Sequence, residues 1–227
     1  GSSKRADDSR AIAEYIAKEL GLDTEKSKII LFAATLHEIG KIGLPEKIAK
    51  ADLRHLTQKE IEIYRQFPLV GSLILSTITG YKDAAYDVGH LLENYDGSGT
   101  PDGLMKEEIS IGARILRAIN LQEELFMMGH SFQDTIAKIR EAIGTLLDPY
   151  ITTHLINYLS DKKRGAAITS KKISIEELKS GMVLEEDVYS VSGIKILPKG
   201  IKLNDRMVEI IKERNIVDPI VGGVAIR

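Results

Sequence analysis

The stretch that most constrains this chain is Leu36-His37-Glu38-Ile39-Gly40-Lys41-Ile42-Gly43-Leu44-Pro45, where an apolar helix runs into a Gly/Pro turn. Ile29, Phe32, Ala33 and Leu36 recur at helical spacing, and His37 continues the stripe one step further. Lys41 lies four residues after His37, so it points to the same side while the helix lasts. An imidazole, an acid and an amine thus meet at the mouth of a buried helix, a set suited to a metal ion and a phosphate. A histidine on an apolar face is equally the pattern of a satisfied core residue, and on the local pattern both readings stand.

The same 3.6-residue periodicity carries through most of the chain. Asp7, Asp8 and Ser9 offer N-caps for a first helix with Ile12, Tyr15, Ile16 and Leu20 as its buried stripe, stopped by Gly21. Thr57-Gln58-Lys59-Glu60 forms a capping box, and Pro68 is expected to divide the helix that follows. Val88, Leu91 and Leu92 mark a further helix, followed by the turn-rich Asp96-Gly97-Ser98-Gly99-Thr100-Pro101-Asp102-Gly103. Ile111, Ile115, Ala118 and Ile119 carry the next one, Ser131 with Asp134 caps another, and Asp148-Pro149 opens a last. After residue 160 the pattern changes. Ser160 to Gly165 reads as a polar linker, Met182 to Val191 as a strand, Ser192-Gly193 as a turn and Ile194 to Leu197 as the return strand. Asn204 is expected to cap a helix with Met207, Ile210 and Ile211 inward, and Ile216 to Val221 to form a final strand.

The expected class is therefore mainly α: a helical bundle followed by a small α+β domain. Residues 1–6 read as tag or linker, 7–160 as the helical domain, 161–170 as linker and 171–227 as the small domain. Gly1-Ser2-Ser3 looks like a tag remnant, and the chain reads as a fragment whose upstream part is missing. The 227 residues are 43% hydrophobic and 28% charged, enough to bury a real core. A net charge of -2 gives no basis for non-specific nucleic-acid binding. The absence of cysteine excludes disulfides and thiolate metal sites and fits a cytoplasmic location. No apolar run approaches the roughly 20 residues of a membrane span.

Taken together, His37-Glu38-Ile39-Gly40-Lys41-Ile42-Gly43 and Glu93-Asn94-Tyr95-Asp96-Gly97-Ser98-Gly99-Thr100-Pro101-Asp102-Gly103-Leu104 resemble the HD-GYP family of HD-domain metal-dependent phosphohydrolases. The resemblance implies an HD-domain helical bundle over most of residues 7–160. It also implies hydrolysis of cyclic di-GMP with two or three metal ions, often iron or manganese, and in many members a preceding receiver domain of a two-component response regulator. The metal ligands do not follow. Where the family has a His three residues before an Arg, Asp7 precedes Arg10. The His-Asp pair is His37-Glu38, whose extra methylene moves the carboxylate by more than metal–ligand distances tolerate, about ±0.2 Å. The next His aligns with Phe67, the paired histidines before Glu93 with Leu91 and Leu92, the closing Asp with Asn120, and the tyrosine of the GYP triplet with Thr100.

The first expectation is accordingly a degenerate, non-catalytic HD-GYP module in a cyclic di-GMP or two-component pathway, with no metal cofactor. It would act by binding a partner or ligand. The Asp96, Gly97, Gly99, Thr100 and Pro101 loop is its surface for a GGDEF or other signalling protein, and a homodimer is expected. His37, Glu38 and Lys41 are the residue of the family site. The alternative is an active phosphodiesterase with iron or manganese on a reduced set, His37, Glu38, Asp7 and His90. A third reading keeps Lys41 and the glycine loop as a receptor for cyclic di-GMP. His55, His130 and His154 read as surface or helix-face residues.

Overall fold

The computed structural model describes residues 2–169, 171–185, 187–190, 192, 194–220 and 224–226. Helix begins earlier than the Asp7 cap suggests. Helix α1 spans Ser2–Glu19, so residues 2–6 are helix rather than a separate linker, and Gly1 lies outside the described residues. Lys4, Arg5 and Ala6 are good helix formers with nothing to break them, and Arg5 gains an ion pair to Glu38 at 3.3 Å. α2 (Thr24–Leu36) is capped by Asp23, which accepts from the Lys26 N–H. A 3-10 turn at Ile39–Gly43 and the short α3 (Glu46–Ala49) lead on to α4 (Gln58–Tyr64), which has the expected capping box. Pro68 sits at the start of α5 (Phe67–Ser76), where its missing N–H costs no hydrogen bond, and so divides α4 from α5. α6 (Lys82–Gly89), α7 (Ile111–Met127), α8 (Phe132–Glu141) and α9 (Pro149–Thr169) complete the bundle.

α7 is the central helix. Ten of its residues are buried, so apolar side chains line more than one stripe, as in a helix surrounded by others. Ile115, Leu116 and Ile119 pack with Ile16 of α1, Ala33 of α2, Phe67 of α5 and Leu91 beyond α6 in one core. Each fully buried Leu, Ile or Phe contributes about 1.5–3 kcal/mol.

The chain divides into two units, residues 1–159 and 160–227. The boundary falls within α9, which is helical to Thr169, so the segment expected to be a linker at 161–170 is helix up to that point. Ser170 lies outside the described residues. The second unit has β1 (Lys171–Ile173) antiparallel to β4 (Val224–Ile226) and β2 (Val188–Tyr189) antiparallel to β3 (Lys195–Leu197). The strand expected over Met182–Val191 is shorter. Val183 and Leu184 form only isolated bridges, and Val191 and Gly193 lie outside the described residues. Asn204 caps α10 (Asp205–Val217) by accepting from the Met207 N–H at 2.9 Å. Ile211 is buried and Met207 packs partly buried on the core, as expected, while Ile210 is exposed and Val208 takes an inward place instead. Ile216 and Val217 end α10 rather than begin a strand, because the helical ladder continues to the Asp218 N–H on the Arg214 carbonyl. The final strand lies instead at Val224–Ile226. No helix among the described residues is long and apolar enough to cross a membrane.

Candidate functional site

His37 caps the C-terminus of α2 and is 2% exposed. Its Nδ1 lies 2.8 Å from the Ala34 carbonyl and its Nε2 3.0 Å from Glu123 Oε2. With Glu123 ionised both partners accept, an arrangement that favours a ring donating from both nitrogens. Burial by itself lowers the His37 pKa. The hydrogen bond and charge of Glu123, the Ala34 carbonyl and the Glu38 charge outweigh it and raise the pKa above the ordinary value. Glu123 comes from α7, and its other oxygen accepts from the Ser9 hydroxyl of α1. The pair therefore ties three helices together.

Glu38 leads into the 3-10 turn. Lys41 folds back on it, and Arg5 reaches it from α1 at 3.3 Å. Burial pushes the Glu38 carboxyl up, but Lys41 first, then His37 and Arg5, hold it below the usual range. Lys41 is not the solvated surface group that its place near a turn suggests. Its side chain is 14% exposed, and its ammonium stands 5.1 and 5.0 Å from the Tyr64 and Phe67 ring centres. Gly40 makes this turn fit. A Cβ there would overlap the Phe67 carbonyl and the Gly71 N–H, so only glycine allows the turn to lie backbone-to-backbone on α5. The group opens on a cleft of about 490 Å³ lined by Arg5, His37, Glu38 and Lys41.

His37, Glu38 and Glu123 offer ligand atoms all within 4.8 Å of one another. The other positions expected around them carry no ligand atom, apart from the weak, neutral amide oxygen of Asn120. Phe67 and Leu91 are fully buried hydrocarbon, Leu92 packs partly buried beside them, and Asn120 is buried with an unpartnered Nδ2. Asp7 is exposed on α1, and Ser9 takes the inward place beside Glu123. His90 is not brought to the group. It caps α6, stacks on Tyr86 at 3.9 Å and bonds the Tyr86 carbonyl and Asp102 at 2.8 and 3.1 Å. The donor set does not fit a bridged pair of metal ions. Two carboxylates and one imidazole stand among the cations Arg5 and Lys41, with apolar side chains at most of the positions where further ligands would be needed.

The glycine loop is held from both sides. Asp96 accepts from the Ser98 N–H at 2.9 Å and its hydroxyl at 2.6 Å, and Gly97 turns the chain at φ +86°. Glu93 Oε1 accepts from the Asp102 and Gly103 N–H groups at 2.6 and 3.1 Å. A Cβ on Gly99 would overlap the backbone of Glu93 and Asn94. The Tyr95 and Asp96 N–H groups bond the Leu146 and Thr145 carbonyls, which fix the loop base against the connection after α8.

Glu123 and Ser9 escape the sequence reading. Glu123 stands four residues after Ile119, so a charged side chain interrupts the apolar face of α7. Ser9 precedes Ile12 and Ala13 on the buried stripe of α1. A polar residue in register with a core stripe is the signal that marks both.

A helical bundle with a His-carboxylate pair at a helix end, together with a glycine-rich loop, is the arrangement of the HD-domain fold class. The family described as HD domain matches residues 1–150. The chain belongs to this HD-domain family and, within it, to the HD-GYP group. It is 32% identical over 148 residues to the cyclic di-GMP phosphodiesterase response regulator RpfG of Xanthomonas campestris pv. campestris, covering 61% of this chain and 38% of that protein. It is 26% identical over 224 residues to the cyclic di-GMP phosphodiesterase PdeB of Borreliella burgdorferi, covering 88% of this chain and 59% of that protein. The chain thus spans less than two thirds of either relative. Among solved structures, Bd1817, an HDG"Y"P protein from Bdellovibrio bacteriovorus, superposes with a TM-score of 0.59 at 17% identity, over 70% of this chain and 53% of that one. The cyclic GMP-AMP specific phosphodiesterase V-cGAP3 of Vibrio cholerae gives 0.57 at 15% identity, over 94% and 54%. At these identities the two structures speak to the fold alone.

Proposed function

We propose that this chain is a degenerate HD-GYP module that does not hydrolyse cyclic nucleotides. It acts in cyclic di-GMP or two-component signalling, in the cytoplasm, through a partner or ligand. The supporting observation is the occupied centre: a buried His37 bonded to Glu123, with buried Phe67 and Leu91 where the resemblance expects ligands. Placing two divalent cations there would set them against His37, Arg5 and Lys41 with only two carboxylates to offset the charge. The partner surface is the loop of Asp96, Gly97, Gly99, Thr100 and Pro101, rigidly based and turned outward; a GGDEF or other signalling protein is the expected occupant, and the module works as a homodimer.

The test is metal content by mass spectrometry, on protein purified without chelator and again after anaerobic loading with iron or manganese. The same samples are assayed for cyclic di-GMP hydrolysis. Sub-stoichiometric metal and no turnover are expected; one or more ions per chain with turnover overturns the reading. One observation favours a second reading, that the 4.8 Å cluster of His37, Glu38 and Glu123 holds a single divalent ion in an active, reduced site. That reading requires His37 to give up its Nε2 proton, and it requires His37→Ala to abolish metal and turnover together. The receptor reading, in which Lys41 meets the phosphates of cyclic di-GMP, loses support from the pairing of Lys41 with Glu38.

A further inference from the structure

A second cleft, of about 270 Å³, is lined by Arg54, Arg65 and Arg117 together with Asn94, Thr100 and Glu124. It shares no lining residue with the His37 cleft, although Tyr64, which the Lys41 ammonium faces, and Leu92, where the resemblance expects a histidine, line it as well. Arg117 projects from α7. Its Nε donates to Asn94 Oδ1 at 3.0 Å, and its Nη1 is buried without a hydrogen-bond partner. The Asn94 amide is in turn oriented by Ser98, whose hydroxyl accepts from Nδ2 at 3.0 Å and donates to Asp96. The guanidinium is thus aimed by a neutral amide and leaves a charged donor unspent. An unmade hydrogen bond on a buried cation is destabilising unless something fills it.

The charges around it do not close. Arg54 is paired with Asp52, and Glu124 stands near Arg117 while Arg65 opposes it. Three guanidinium groups against these two carboxylates leave one positive charge. We infer that this cleft is a binding site for one phosphate-type anion, with Arg117 Nη1 as its buried donor and Arg65 as a second cation. Guanidinium presents the planar fork of donors that phosphate oxygens match. The cleft is at or below the lower end of small-molecule pockets, about 300–1,000 Å³. The occupant is therefore inorganic phosphate or a small phosphate monoester rather than a cyclic dinucleotide. The inference goes beyond the function proposed above and holds whether or not His37 meets a metal.

Calorimetric titration and thermal melting decide it, with inorganic phosphate and a nucleoside monophosphate as probes, at constant ionic strength with sulfate as a control. Saturable binding to the full chain is expected, with Arg117→Met binding about tenfold to a hundredfold more weakly. The unliganded Arg117→Met protein is expected to melt no lower than wild type, because hydrocarbon replaces a part-buried guanidinium whose buried Nη1 makes no hydrogen bond. Tighter binding of the monophosphate identifies an ester ligand and tighter binding of free phosphate the bare ion; both support the site. The inference is overturned by non-saturable responses equal to sulfate, or by unchanged affinity in Arg117→Met. Should Arg117→Met melt lower, Asn94→Ala decides: weaker phosphate binding supports the site, and wild-type affinity overturns it.

Discussion

At the scale of single residues, the centre of the bundle is a network of paired charges beside a cleft. Glu123 accepts from Ser9 and pairs with His37, so removing it leaves the buried His37 ring and the Ser9 hydroxyl without their shared partner. Glu123→Ala is expected to cost about 3–5 kcal/mol, read as a lower denaturation midpoint in urea. Asp87 is the contrasting case. Burial pushes its carboxyl up to about 6, although Ser110 and the Ala113 N–H donate to it. Its folded pKa lies above its unfolded value, so the folded state binds more protons between the two. Its contribution to stability is therefore fullest at low pH and is lost as pH rises through about 6. Asp87→Asn is expected to leave stability unchanged below pH ~4 and to raise it by about 1–3 kcal/mol at pH ~7.5, measured by thermal melts across that range.

At the scale of elements, two joints hold the site in place. The 3-10 turn meets α5 without side chains between them, and Gly40→Ala forces backbone atoms apart. That variant is expected to melt well below wild type, with the loss of the Lys41 contact to Tyr64 visible in tyrosine fluorescence. At the other joint Asp148 caps α9, accepting from the Tyr150 and Ile151 N–H groups at 2.7 and 3.1 Å, and pairs with Arg114 of α7 at 2.6 Å. Asp148→Ala is expected to cost about 2 kcal/mol, the sum of a lost cap and a part-buried ion pair, in chemical denaturation. These caps are local hydrogen-bond patterns, which is why Asp148-Pro149, Ser131 with Asp134 and the Thr57 box were legible in the sequence. The start of α1 was not, because Asp7 looks like a cap only until Arg5 is known to meet Glu38 across the bundle.

At the scale of the molecule, each unit has its own core. A truncation ending at residue 169, where α9 stops, is expected to keep the helical circular dichroism and the cooperative melt of the first unit. The order of helices, their caps and the two family motifs are all short-range, repeating signals, so the amino-acid sequence alone determined the helical class and the HD-GYP kinship. It also placed Phe67, Leu91 and Leu92 where the resemblance expects ligands. Tertiary structure decided what surrounds them. Whether His37 meets a metal, water or a carboxylate depends on Glu123, eighty-six residues away, and on Ser9 behind it. Whether Arg117 is a surface charge or an unpaired buried donor depends on Asn94 and on the loop that aims it. Periodicity reports which face of a helix is buried; only packing reports what that face is pressed against.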